Sequence, residues 1–404
     1  MREQHDSIFV QIENHPLASA IPFDTQLPDD DDNVPKLVTV SHLPAETLVQ
    51  IIHIASHPRG NRRSHDYIKR LHAFAQVCSA WANVIRQTPS FWSLVHYDAQ
   101  FGGSEWLMAL KRSRSSPIAV EFVNRAQTTN DPFWSTIKPH SHRWLSLVIR
   151  TREKRDHWID FHGVCAPLLD DLRINISNLA RELTISRENF PAVSTLTLIN
   201  VGLRDWDSGL LSGLRHLHLS SIPDDPPSLL QLLNMLAASP CLEHLDMSWV
   251  EPAVNGTFVR RPPIPLPNLR YLRFDEFPVT VIDIILQSVQ ATYCPIISID
   301  LDAPEESSYL FPAVTSFLTP SLYHFSATAS EAITLLLGTD AYKFIIDGDR
   351  DTDYKEPGVQ ASIAPSPNNL DVIVDWLDGL LVSQPPGLQH LRLGIGFKEQ
   401  RILD

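Results

Sequence analysis

The sequence predicts an α/β protein in which a block of three short helices precedes a curved array, with parallel strands inside and helices outside. Three observations carry this reading. Between residues 43 and 92 large apolar residues recur at helical spacing. From Trp144 onward a six-residue pattern, apolar at its first, fourth and sixth positions, returns every 21–28 residues, a period at which stacked units bury one continuous core. A proline stands two residues ahead of six of these units.

Residues 1–39 are polar, broken by prolines and carry the acidic run Asp29–Asp32. They hold too little apolar surface to offset the entropy of ordering them, so a mobile acidic tail is expected. The helical block covers 40–98. Pro44 suits a helix start and Glu46 the first turn, and Leu48, Ile51, Ile52 and Ala55 are expected to form one apolar face. The segment PRGNRRSH (58–65) breaks that helix. A second helix is expected to carry Leu71, Phe74, Ala75, Val77 and Cys78, and a third Trp81, Val84 and Ile85, ending at Thr88-Pro89. Phe91, Trp92 and Leu94 close the block. Its core is small for independent stability, so docking on a partner would benefit it.

A linking helix and strand over 99–140 lead to the repeats, 141–404. Their anchors are Trp144, Leu147 and Ile149; Leu169, Leu172 and Ile174; Val193, Leu196 and Leu198; Leu214, Leu217 and Leu219. Next come Leu242, Leu245 and Met247; Leu269, Leu272 and Phe274; Ile296, Ile299 and Leu301. A weaker unit, Leu322, Phe325 and Ala327, precedes a clear one at Leu388, Leu391 and Leu393. Pro167, Pro191, Pro240, Pro267, Pro320 and Pro386 are expected to end a preceding helix and push the chain into an extended backbone. Helices are expected within 226–240, with Ser228 as N-cap, 280–293 and 368–381. An acidic, proline-rich insertion near 347–368 interrupts the array, with AYKFII just before it as one further strand.

Two motif sets carry a resemblance. LPAETLVQII, a spacer and LHAFAQVCSAWANVIRQTPSFWSLV (41–95) resemble the F-box, with its opening Leu-Pro, following Glu and V-C-x-x-W core. The ending from Thr88 to Val95, then WLMALKRSRSSPIAVEFV and HSHRWLSLVI, are similar to the expanded F-box family of mushroom-forming fungi. The spacer is longer than in a minimal F-box. The units from Trp144 resemble leucine-rich repeats, but where that pattern often has Asn or Cys this chain has Val201, Ile222, Val250 and Phe277; the repeats are degenerate. The resemblance implies a non-catalytic substrate receptor of a Skp–cullin–F-box ubiquitin ligase. It implies that Leu43, Pro44, Leu48, Val77, Cys78 and Trp81 meet the Skp adaptor, and through it a cullin. The alternatives are a repeat scaffold whose F-box acts outside a ligase, and an enzyme hidden in the C-terminal third.

Composition bounds the rest. At 404 residues with a net charge of −14, the chain lacks the basic face that phosphate backbones require; Arg59–Arg63, Lys111–Arg114 and Arg152–Arg155 read as solvated loops. Cys78, Cys165, Cys241 and Cys294 are far apart, which suggests buried thiols in a reducing compartment. No secretory signal or membrane span is expected, which points to the cytoplasm or nucleus. The nucleotide-loop, nucleophile-elbow and H-E-x-x-H motifs are absent. His53 and His57 lack a third ligand, and His140 and His142 read as structural or exposed. Asp347, Asp349, Asp351 and Asp353 have the alternation of a calcium loop, but Thr352 and Gly358 stand where its Gly and Glu belong. No metal or cofactor is expected. Between the anchors, the concave face is expected to show residues such as Arg215, His216, His218, Glu243, His244, Asp246, Arg270, Tyr271 and Arg273, alternation putting the anchors inward and some of these outward. Of these, Arg215, His218, His244, Asp246, Tyr271 and Arg273 are the candidate contacts for a protein substrate.

Overall fold

A computed structural model describes residues 43–56, 64–99, 104–124, 132–151, 161–176, 182–253 and 261–300, apart from a few single positions, together with Ala313, Ser316, Phe317 and three later strands. The tail, the weak unit at Leu322, the aspartate series at 347–353, AYKFII and the helix expected within 368–381 lie outside the described residues.

The chain is α/β. It opens with α1 (Ala45–Ser56), α2 (Ser64–Ala75), α3 (Ser79–Gln87) and a 3-10 turn at Pro89–Trp92. Next come β1 (Leu94–Asp98), α4 (Glu105–Arg112), β2 (Ile118–Asn124), α5 (Pro132–Ile137), a 3-10 stretch over Lys138–Arg143 and β3 (Trp144–Thr151). They are followed by β4 (Asp171–Ile176), β5 (Glu182–Leu183), β6 (Thr195–Ile199), β7 (Gly202–Leu203), β8 (His216–Ser220), α6 (Leu229–Ala237) and β9 (His244–Ser248). Then come β10 (Ile264–Pro265), β11 (Tyr271–Asp275), α7 (Val279–Ser288), β12 (Val289–Gln290), β13 (Ile296–Asp300), β14 (Ile333–Gly338), β15 (Gln360–Ile363) and β16 (Leu391–Gly396).

One parallel sheet runs β1-β2-β3-β4-β6-β8-β9-β11-β13 in chain order. Its register superposes the recurring residues. Leu147, Leu172, Leu196, Leu217, Leu245 and Leu272 pair in one row, and Ile149, Ile174, Leu198, Leu219, Met247 and Phe274 in another. All twelve are at most 3% exposed. This is the outcome expected when each unit buries its apolar positions against its neighbours.

The sheet departs from the sequence reading at five points. Leu94 starts β1 instead of closing a separate helical block, so the sheet begins two strands before Trp144. The unit placed at Ile296, Ile299 and Leu301 is in a different frame: Ile297 pairs with Leu272 and Ile299 with Phe274, leaving fully buried Cys294 in the first-anchor place. The other cysteines, Cys78, Cys165 and Cys241, are exposed. Pro167, Pro191, Pro240 and Pro267 sit inside turns, and of these only Pro240 follows a helix, while Pro320 and Pro386 lie outside the described residues. The N–H groups of Leu169, Val193, Leu242 and Leu269 donate to the carbonyls of Ala166, Phe190, Ser239 and Leu266, which places proline second in each turn, where its fixed φ is already suitable. Finally, α6 and α7 form where expected, but the described parts of the β4–β6, β6–β8 and β9–β11 connections hold turns and two-residue strands, with β5 pairing β7 and β10 pairing β12. Beyond β13 the order becomes β15-β14-β16, so chain order is lost there.

The residues that follow four of the strands have a shared geometry. Asn200, Ser221, Trp249 and Glu276, each immediately after a strand, have φ between 49° and 56°. The left-handed residue turns the chain, and Val201, Ile222, Val250 and Phe277 then enter the core at no more than 7% exposure.

The N-terminal helices do not stand apart. In α1 the buried face is Leu48, Ile52 and Ser56, one residue every four, while Ile51 and Ala55 point outward. α1 packs on α2 and α3, and Tyr67, Ile68, Leu71, Ala82 and Ile85 complete the interior. Trp92, 1% exposed, donates its indole N–H to the Ile85 carbonyl at 2.8 Å, and the Arg112 guanidinium lies 4.4 Å above its ring. Helices and sheet share one apolar core from Ile52 to Phe317, because three short helices bury too little on their own. Buried Arg143 bonds the Ser116 carbonyl at 2.9 Å and Ser113 Oγ at 2.7 Å, fixing the turn between α4 and β2; burial pushes its pKa down. His142 is exposed and His140 half-buried; burial, then the charges of Arg143 and His142, hold the His140 pKa down.

Candidate functional site

Parallel sheets are ordinarily apolar on both faces, because helices cover both. Here most alternate positions of β6, β8, β9 and β11 are polar and partly exposed, so this face of the sheet can meet a ligand. All six predicted substrate-contact residues lie on it, in two rows and the position preceding them. Across β8, β9 and β11 the first row holds His216, His244 and Tyr271, and the second His218, Asp246 and Arg273.

The first row is aromatic. The His216 and His244 rings are 4.6 Å apart, and His244 stacks on Tyr271 at 5.6 Å and 28°. Thr195 Oγ1 lies 3.2 Å from His216 Nδ1, extending the row onto β6. In the preceding position Arg215 donates Nη2–H and Nε–H to Glu243 Oε1 at 2.6 and 2.9 Å. The hydrogen bond from Arg215 holds the Glu243 carboxyl below the usual glutamate range, and that carboxylate raises the pKa of Arg215.

The second row leads to a charge cluster that includes one residue the alternation argument did not select. Arg273 Nη2 donates to Asp275 Oδ2 at 2.8 Å, while its Nη1 is 3.9 Å from Asp246 Oδ2. His218 Nδ1 is 3.8 Å from that same oxygen. Asp246 Oδ1 is buried and accepts no hydrogen bond. Burial pushes the Asp275 carboxyl above the usual aspartate range; Arg273 draws it back, and Asp246 pushes it up again. Two carboxylates thus share one guanidinium in a setting that disfavours charge.

Trp249 immediately follows β9. Its backbone N–H donates to the Asp275 carbonyl at 2.9 Å, yet its side chain is 59% exposed and its φ is +56°. Neither Trp249 nor Asp275 was among the sequence candidates. Their signal was the frame itself, which places both at the ends of adjacent strands. Toward the other edge the face is carried by Glu121, which pairs with His96 at 3.1 Å and with Arg150, and by Arg173 with Asp171 at 2.8 Å.

A second surface lies on the helices. Of the adaptor candidates, Pro44, Val77 and Cys78 are exposed, Leu43 and Trp81 are half-buried, and Leu48 is buried at 4%. Two residues not chosen from sequence are also exposed on α1, Ile51 at 40% and Ile54 at 65%, against 61% for Val77 in the turn after α2. The signal was available, since AETLVQIIHIAS has more apolar residues than one helical stripe can bury.

Among the described residues no group of three or more His, Cys, Asp or Glu is arranged to hold a metal ion, and no helix is long and apolar enough to cross a membrane. In comparisons with known proteins, no family model, curated protein or solved structure matched the chain.

Proposed function

We propose that the chain is the substrate receptor of a Skp–cullin–F-box ubiquitin ligase, with α1–α3 docking the Skp adaptor and the polar sheet face holding a protein substrate. The observation that carries the reading is the apolar surface at Ile51, Ile54 and Val77 on a module bearing the F-box-like residues. Large aliphatic side chains left outward on short helices favour a partner that covers them. Pro44 and Cys78 are exposed as well, Leu43 and Trp81 are half-buried, and Leu48 is buried within α1. The repeating strands, read as a degenerate leucine-rich-repeat solenoid, hold the substrate at a fixed position. The contribution to ubiquitin transfer is the raised effective concentration of substrate lysines near the conjugating enzyme, with no chemistry by this chain.

Co-elution of the purified chain with purified Skp adaptor tests this. The intact chain is expected to bind, and Leu43→Ala with Pro44→Ala, or Val77→Asp alone, to abolish binding while circular dichroism is unchanged. No binding by the intact chain would favour the repeat scaffold acting outside a ligase.

A further inference from the structure

Cations on the sheet and cations on the helices have different surroundings. On the sheet Arg150, Arg173, Arg215 and Arg273 each meet a carboxylate. Among the described residues no carboxylate pairs with Lys69 on α2, with Lys111 and Arg112 in the last turn of α4, or with Arg114 just beyond it. From Ser64 to Ser116 six lysines and arginines stand against three acidic residues, a net of +3 inside a chain of −14. The sequence reading placed Lys111–Arg114 in a solvated loop, whereas they lie at a helix end and in a tight turn. Arg112 is 4.4 Å above the Trp92 ring, and His72 of α2 meets the same ring edge-on at 6.4 Å. The end of α4 and the face of α2 that exposes Lys69 and His72, three residues apart, therefore share one corner. Arg114 is second in a turn closed by the Ser116 N–H on the Ser113 carbonyl at 2.9 Å, and buried Arg143 bonds both ends of that turn. Leu107, 44% exposed, stands four residues before Lys111 and so on the same face of α4. A helix C-terminus favours basic residues, which accounts for Lys111 and Arg112. It does not account for Lys69, nor for exposed Arg114, whose φ of +50° is costly where glycine would be free.

We propose that this corner, α4 with the turn after it and the adjoining face of α2, docks an acidic segment of a partner protein. Its Asp or Glu side chains meet Lys111 and Arg114, and an apolar side chain covers Leu107. Charge complementarity names the occupant. A cation already paired within the chain must give up that partner to take another, whereas these cations have none to give up. The rest of the chain is more negative than the whole and repels such a segment, which confines it to the corner and steers it there. Nucleic acid would meet the same repulsion along a longer charged backbone, so a short protein segment is favoured. The corner is separate from the residues assigned to the adaptor and from the sheet face, and the proposal does not rest on the ligase reading.

The test is fluorescence anisotropy with the full chain at low salt and a labelled peptide of repeating Gly-Glu-Leu-Asp, beside its twin with Gln for Glu and Asn for Asp. The acidic peptide is expected to bind at least about tenfold tighter than the neutral one, with the difference lost at high salt. Lys111→Gln with Arg114→Gly is expected to weaken it about tenfold while the melting temperature holds, because both side chains are exposed and glycine suits the Arg114 backbone. Arg173→Gln, at a cation that already has Asp171, is expected to leave binding unchanged. Equal binding of the two peptides overturns the proposal. So does undiminished binding by the double variant, an equal loss on Arg173→Gln, or tighter binding of a duplex DNA oligonucleotide than of the acidic peptide. Adaptor co-elution on the same samples keeps the two readings apart. Peptide failure with the adaptor bound sinks only this proposal, and adaptor failure with specific peptide binding sinks only the ligase.

Discussion

The helices α1–α3 and the strands β6–β11 bury similar residue types but leave different ones outside. On the helices the exposed surface includes large aliphatic side chains, Ile51 and Ile54 on α1 and Val77 in the turn after α2, among polar ones such as Glu46, His53, Lys69 and Arg86. On the strands it is charged and aromatic, and most charged groups meet a partner within the sheet, as Arg215 does Glu243 and Arg273 does Asp275. Local support differs too. α6 has a full capping box, with Ser228 Oγ accepting from the Gln231 N–H and the Gln231 side chain accepting from the Ser228 N–H, whereas Cys78 at the N-cap of α3 makes no capping hydrogen bond. On the sheet several exposed charges pair with one another, although Asp246 Oδ1 accepts no hydrogen bond among the described residues. The helical region keeps large aliphatic side chains exposed among the described residues.

The strongest challenge to this contrast is in the core. Phe274→Ala, at a fully buried position, should cost about 3–5 kcal/mol, and Ile52→Ala about 2–5 kcal/mol. Because the two regions share one core, urea unfolding of either variant should remain a single transition; two separated transitions would show the regions to be independent. Capping comes next. Ser228→Ala should lower stability by about 1 kcal/mol, while Cys78→Ser, whose extended backbone suits an N-cap, should raise it by a few tenths to about 1 kcal/mol. Equal and opposite-signed results would sharpen the difference in local support. Ile54→Ser and Val77→Ser should then change stability by no more than about 0.5 kcal/mol while removing adaptor binding; a large loss of stability would mean these side chains are structural after all.

The smallest effect concerns pH. The Glu243 pKa is held down, first by its hydrogen bond from Arg215. A depressed carboxylate contributes stability that is present above the ordinary glutamate range and is lost as pH falls through the folded value. Both groups face solvent, so the contribution is slight and screened by salt. Thermal melts of the wild type and Glu243→Gln should therefore converge at acidic pH, and at high salt at any pH. A gap that widens with acidification would reverse the assigned sign.

Much of the sheet was legible because its rows are set by a short-range rule. Anchors three and then two residues apart, repeated about every 25 residues, allow one parallel register, and Leu147 through Leu272 fall into it. The frame slipped at Ile296 because Cys294 replaces the expected aliphatic residue, while Ile296 and Leu301 supply a competing pattern. The start of the sheet was missed because β1 and β2 have no such anchors. Candidate contacts on the strands followed from alternation, yet Trp249 and Asp275 lie where alternation ends. On α1 the sequence identified the apolar residues but assigned Ile51 to the wrong side.

What the sequence determined alone was periodic: the recurrence of strands, their parallel direction and the residues that line the interior, since burial follows spacing. Tertiary structure decided where pairing begins and ends, that the helices share the sheet's core, and which apolar or charged groups remain without cover. Those outcomes depend on neighbours many residues away, so no local pattern could encode them.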